Sequence, residues 1–136
     1  MPVEPSDGVI LIGSSDEEMQ RRLPEFIAAN FRNRTLCVTE TSDLLLEILD
    51  KNIDLTIIDL NLSGLPIDKT VQIIKKCRPR VPVIVLSDDY SVATGSRIME
   101  QGIFYYTYKP LDMERFRETV ESALKKRARE KADERR

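Results

Sequence analysis

The stretch IDLTIIDLNLSG, residues 53–64, decides how the rest of the chain is read. Leu55, Ile57 and Ile58 make residues 53–59 a bulky, partly β-branched run that stops at a carboxylate, Asp59. Asn61, Ser63, Gly64 and Pro66 then have the composition of a loop. The run predicts a strand, and its lack of strict alternation suits a parallel sheet covered on both faces.

On either side the same strand and helix unit recurs. Val9–Ile12 is a short apolar run ended by Gly13, Ser14 and Ser15. In SSDEEMQRRLPEFIAANF, Ser15 and Glu18 stand at capping-box spacing, and Met19, Leu23, Phe26, Ile27 and Phe31 recur at helical intervals. Pro24 lies inside this pattern and predicts either a kink or a later helix start. A second strand is expected over 35–39 and a second helix over about 42–51, carrying Leu44, Leu45, Ile48 and Leu49. After the central strand, Val71, Ile73, Ile74 and Cys77 keep helical spacing until Pro79. A fourth strand follows over 81–87, a helix over about 91–101 that stops at Gly102, and a fifth strand over 104–108. The last helix puts Met113, Phe116, Val120, Ala123 and Leu124 on one face. Five such alternations predict an α/β fold, a three-layer αβα sandwich around a five-stranded parallel sheet.

Composition narrows the function classes. The 136 residues suit one domain, and 41% hydrophobic with 32% charged residues excludes disordered and disulfide-scaffold classes. No apolar run approaches the roughly 18 residues of a membrane span, and the start MPVEPSDG lacks signal-peptide character, so a soluble, cytoplasmic protein is expected. There is no histidine, which removes His-dependent triads and His-containing zinc sites. Cys37 is expected in the core and Cys77 near a helix end. Residues 125–136 hold seven basic and three acidic side chains, leaving 14 basic and 20 acidic on the rest. An acidic body argues against nucleic-acid binding, and the basic tail reads as a solvated helix end.

In open parallel sheets the functional crevice lies beyond the carboxyl ends of the strands. There the sequence puts Ser14 and Ser15, Asp59, Ser87 with Asp88, and Lys109. A carboxylate, a hydroxyl and an ammonium converging on one point suit a site that binds or accepts a phosphoryl group.

Over residues 8–124 this order and spacing resembles the receiver domain of bacterial response regulators, with residues 1–7 as an N-terminal extension and 125–136 as a charged helix extension or linker. The resemblance implies a flavodoxin-like strand order 2-1-3-4-5. It also implies Asp59 in the phosphoacceptor position, Ser87 and Lys109, before Pro110, as phosphoryl-binding residues, and Ser87 with Tyr106 as switch residues. Where the family has two adjacent acids that help hold Mg²⁺, this chain has Ser14 and Ser15. Asp88 stands where a small residue is usual, Ser63 where proline is common, and Pro66 and Ile67 replace a glycine-containing turn. Mg²⁺ favours charged, hard oxygens, so no bound metal and impaired phosphorylation are expected. If Mg²⁺ binds, Asp59 and the Asn61 backbone would contact it, with Asp16, Glu17, Asp88 or Asp89 as further candidate ligands. The implied protein is not an enzyme but an interaction module, a pseudo-receiver whose partner is a histidine kinase or another signalling protein. A homodimer through the fourth helix, fifth strand and last helix is a further expectation. The alternatives are a working phosphoacceptor that uses Mg²⁺, and an unrelated small-ligand module, for which no G-x-G-x-x-G or P-loop is present.

Overall fold

All seven residues of Ile53–Asp59 are buried, and in a single sheet only a central strand gives up both faces and both edges to protein. The computed structural model describes residues 8–134. Its strands are β1 (Val9–Gly13), β2 (Arg34–Val38), β3 (Ile53–Asp59), β4 (Val83–Ser87) and β5 (Tyr105–Tyr108). They alternate with helices α1 (Glu17–Asn30), α2 (Thr41–Asp50), α3 (Ile67–Cys77), α4 (Val92–Met99) and α5 (Met113–Glu134). The sheet order is β2-β1-β3-β4-β5, parallel throughout. This is the flavodoxin-like order 2-1-3-4-5. The expected extension over 1–7 and the last two residues of the charged tail lie outside the described residues.

Alternate strand residues serve the two faces. Ile10, Ile12, Leu55, Ile57, Ile84 and Leu86 pack against Met19, Leu23 and Ile27 of α1 and Phe116, Val120 and Ala123 of α5. Leu11, Ile58, Val83 and Val85 pack against α2, α3 and α4 through Leu44, Ile48, Val71, Ile74 and Ile98. The register pairs Gly13 with Ile58, Asp59 with Leu86, and Ser87 with Tyr108. Ser14, Asp59, Ser87 and Lys109 therefore emerge side by side at the carboxyl edge.

Several local expectations are corrected. α1 runs through Pro24 from Glu17 to Asn30. Burial of Met19, Leu23 and Ile27 outweighs the roughly 3 kcal/mol that an interior proline costs a helix. Its N-cap is Asp16, whose Oδ1 accepts from the Glu18 N–H at 2.9 Å, so Ser15 and Glu18 form no capping box. β4 begins at Val83, because Arg78–Val81 forms a turn closed by the Val81 N–H on the Arg78 carbonyl at 3.2 Å. Cys37 is exposed, since β2 is an edge strand rather than an inner one. β5 is the other edge, and Tyr105 and Tyr108 remain 45% and 41% exposed on it. Gly102 ends the fourth helical segment with φ +84°, a left-handed turn that glycine adopts without strain.

The tail is not simply solvated. α5 continues unbroken past Leu124, and near its end the Lys131 ammonium meets the carboxylate of Asp54, a buried residue of β3. Asn33 Nδ2 donates to the other Asp54 oxygen at 3.1 Å, and Lys131 also donates to Asn52 Oδ1 at 3.1 Å. Removing one partner of a buried ion pair leaves an uncompensated charge. Lys131→Met is therefore expected to lower the unfolding free energy by about 3 kcal/mol in urea denaturation. Lys125→Met, which breaks only the solvated pair with Glu121, should change it by less than about 0.5 kcal/mol.

Candidate functional site

Asp59 ends β3 with its side chain fully buried, and its charge is matched within the protein. Lys109, first residue after β5, reaches back to place Nζ 2.9 Å from each carboxylate oxygen. Ser14, first residue after β1, donates its hydroxyl to Asp59 Oδ2 at 2.9 Å, and the Asn61 N–H approaches Oδ1 at 3.4 Å. A carboxylate has about four lone-pair directions, and these four contacts use them.

The serines following β1 part company. Ser14 is fully buried, and its Oγ also accepts from the Asp16 N–H at 3.0 Å. Ser15 is exposed and staples two loops, donating to the Thr39 carbonyl at 3.1 Å and accepting from the Ser63 N–H at 3.1 Å. Asp16 does reach the site, with Oδ2 3.4 Å from Lys109 Nζ while Oδ1 caps α1. Burial alone would lower the Lys109 pKa. The hydrogen bond and charge of Asp59, with Asp16 adding, more than reverse this, and the ammonium titrates above its ordinary range.

Ser87 sits at the end of β4, but its hydroxyl is turned to the next loop. It donates to the Asp89 carbonyl at 3.0 Å and accepts from the Asp89 N–H at 2.9 Å. Asp89 in turn accepts from the Ser91 N–H at 2.8 Å and from Thr94 Oγ1 at 3.0 Å, bonds that hold its carboxyl below the usual range. The cap of α4 is Ser91, and Asp88 is exposed. Tyr106 packs its ring on the core beside Gly95 of α4, and its buried hydroxyl has no partner among the described residues. Its ring meets Tyr108 edge-on with centroids 5.5 Å apart.

Sequence reading passed over Tyr90. Its ring stacks on Tyr108 with centroids 4.8 Å apart, and its hydroxyl donates to the Lys109 carbonyl at 2.7 Å. The loop carrying Ser87 and Asp89 is thereby tied to the backbone of the residue that holds Asp59. An aromatic three residues past a strand end was the visible signal, but only the fold brings it over β5. Between β5 and α5 a groove of about 350 Å³ is lined by Tyr105, Tyr106, Tyr108, Arg115 and Phe116, among others.

Comparison with known proteins is consistent with this geometry. The family described as response regulator receiver domain matches residues 10–121. The transcriptional regulatory protein ZraR of Salmonella typhimurium is 32% identical over 82 residues, 60% of this chain and 19% of that protein. A putative response regulator NtrX-like protein of Rickettsia typhi is 33% identical over 103 residues, 71% of this chain and 21% of that one. The chain thus spans about a fifth of these relatives' length. Among solved structures, the signal receiver domain of a putative LuxO repressor protein from Vibrio parahaemolyticus superposes with TM-score 0.86 at 18% identity, covering 95% of this chain and 98% of that one. A CheY-like receiver domain protein from Methanospirillum hungatei gives 0.84 at 18% identity, covering 92% and 99%. At such identities the likeness shows the fold.

The raised Lys109 pKa has a measurable sign. The stability it confers is complete below the ordinary lysine value of 10.5 and is lost as pH climbs through the raised folded value. Asp59→Asn removes the main cause of that elevation. The stability of the wild type minus that of Asp59→Asn, followed by urea denaturation, is expected to hold level up to about pH 10 and then to fall as the pH is raised to about 12. A difference that stays flat over this range would contradict the pairing.

Proposed function

The chain belongs to the response regulator receiver domain family, and from that premise we propose that it acts in two-component signalling by docking to protein partners, as a pseudo-receiver with Asp59 impaired as a phosphoacceptor. The observation that carries this reading is the saturation of Asp59 by Lys109, Ser14 and the Asn61 N–H. An attacking carboxylate oxygen would first have to shed one of these bonds. Phosphoryl transfer also depends on neutralising charge spread over the phosphoryl oxygens, work for which positive charge must be available. Here the lysine's charge is already shared by Asp59 and Asp16.

The residues present do not fit Mg²⁺ well. It prefers charged oxygens in octahedral array, whereas Ser14 offers a neutral hydroxyl directed at Asp59 and Ser15 is spent on two loops. Among the described residues no three His, Cys, Asp or Glu side chains cluster to hold a cation. A histidine kinase or another signalling protein is the proposed partner, and the face formed by α4, β5 and α5 the proposed contact, including a homodimer. Val92, Met99, Tyr105 and Tyr108 expose apolar surface there. In this reading the chain is not an enzyme and works in the cytoplasm. No helix among the described residues is long and apolar enough to cross a membrane. ZraR is named a transcriptional regulatory protein, and a role in controlling transcription through further domains is the corresponding proposal for a longer protein.

A working phosphoacceptor is the second reading, favoured by one observation. The Asp16 carboxylate lies 3.4 Å from Lys109, near enough to serve as a second acid if it let go of the lysine.

Amide shifts separate the two. Titrating Mg²⁺ with and without beryllofluoride is expected to give no saturable change at Asp59, Ser87 or Lys109 that the Asp59→Asn control lacks. In Ser14→Asp/Ser15→Asp, millimolar Mg²⁺ should produce saturable shifts and raise the melting temperature. Saturation in the wild type, spreading to Tyr106, would establish the working phosphoacceptor instead.

A further inference from the structure

A second concave site lies at the opposite edge of the sheet from Asp59. Where the turn between α3 and β4 passes beneath the end of α5, Arg78, Arg80 and their neighbours face Arg127 and Glu134 across a cavity of about 300 Å³. The three guanidinium groups are differently engaged. Arg78 donates to the carbonyls of Cys77 and Leu49 at 2.9 and 3.1 Å, and Arg80 pairs with Glu134 at 2.8 Å. Arg127 has no hydrogen-bond or ion-pair partner among the described residues, and its Nε is buried without an acceptor. A buried charged donor left unsatisfied is a group to which a native structure normally supplies an acceptor.

We propose that this cavity binds a phosphate group, carried either by inorganic phosphate or by a small phosphorylated molecule such as a nucleotide. Guanidinium forks match phosphate oxygens in planar, paired hydrogen bonds, and a tetrahedral anion can take donors that are not confined to one plane. The Arg80–Glu134 pair marks where an anion sits. Both of its side chains are about half exposed, so an incoming phosphate displaces a weakly held carboxylate. Pro79, between Arg78 and Arg80, stiffens the turn that presents them. The volume exceeds that of a lone phosphate and falls at the small end of ligand pockets, leaving space for the part of a molecule next to its phosphate. The cavity walls belong to separate elements, so occupancy would fasten the end of α5 to the turn before β4. None of this depends on how Asp59 is read.

The test is a titration of the full chain at constant ionic strength, with sodium chloride as the matched control, following backbone amides and the arginine Nε–Hε signals. Inorganic phosphate, and separately ADP, are expected to give saturable shifts at Arg78, Arg80, Val81 and Arg127, with Asp59 and Lys109 unmoved. Arg127→Gln should weaken binding about tenfold or more, and Glu134→Gln, which removes the competing carboxylate, should tighten it several-fold. The amide spectrum of each variant outside the pocket reports that it is folded. Tighter binding of ADP than of phosphate identifies a nucleotide-type ligand, and equal binding identifies the phosphate alone as the recognised group. Shifts that never saturate, that chloride reproduces, or that survive Arg127→Gln unchanged would overturn the proposal.

Discussion

The Asp59 carboxylate, buried at the end of the central strand, imposes the constraint on which much else depends. A charge taken out of water there costs several kcal/mol unless a partner and hydrogen bonds compensate it. The compensation comes from Lys109, 50 residues away in sequence and 2.9 Å away in space. Holding that ammonium in place requires β5 to lie beside β4, and the Lys109 N–H on the Ser87 carbonyl at 2.8 Å and the Tyr90 hydroxyl on the Lys109 carbonyl both serve this. Ser14 completes the shell from β1.

β3 carries a second buried carboxylate, Asp54, near its other end, and this too is answered by a lysine from late in the chain. Lys109 closes the carboxyl edge and Lys131 the amino edge. The last quarter of the chain is thus pinned to the central strand at both ends of the sheet. The apolar contacts of Phe116, Val120 and Ala123 lie between these two fastenings.

Much of the fold was legible because it is written in local periodicity. The run at 53–59, the helical spacing of Val71 and Ile74, and the stops at Pro79 and Gly102 are all short-range signals. Of the candidate site, Asp59 and Lys109 were legible because the carboxyl ends of parallel strands share one edge, and the register does bring them into contact. Ser87 was legible as a position but not as an orientation, since its hydroxyl follows the loop to Asp89. Errors arose where packing overrode a local rule, as in the later helix start that Pro24 suggested, or where edge position mattered, as at Cys37.

The amino-acid sequence by itself determined the alternation of strands and helices, the parallel sheet and the residues at the strand ends, because each of these follows from patterns a few residues long. Tertiary structure alone decided which polar groups those residues meet. Whether Ser14 faces Asp59 or water, whether Lys131 is solvated or seated on Asp54, and whether Tyr90 reaches Lys109 depend on contacts between segments 19 to 77 residues apart. No local pattern encodes such contacts, since they exist only once the sheet has ordered its strands and α5 has crossed beneath them.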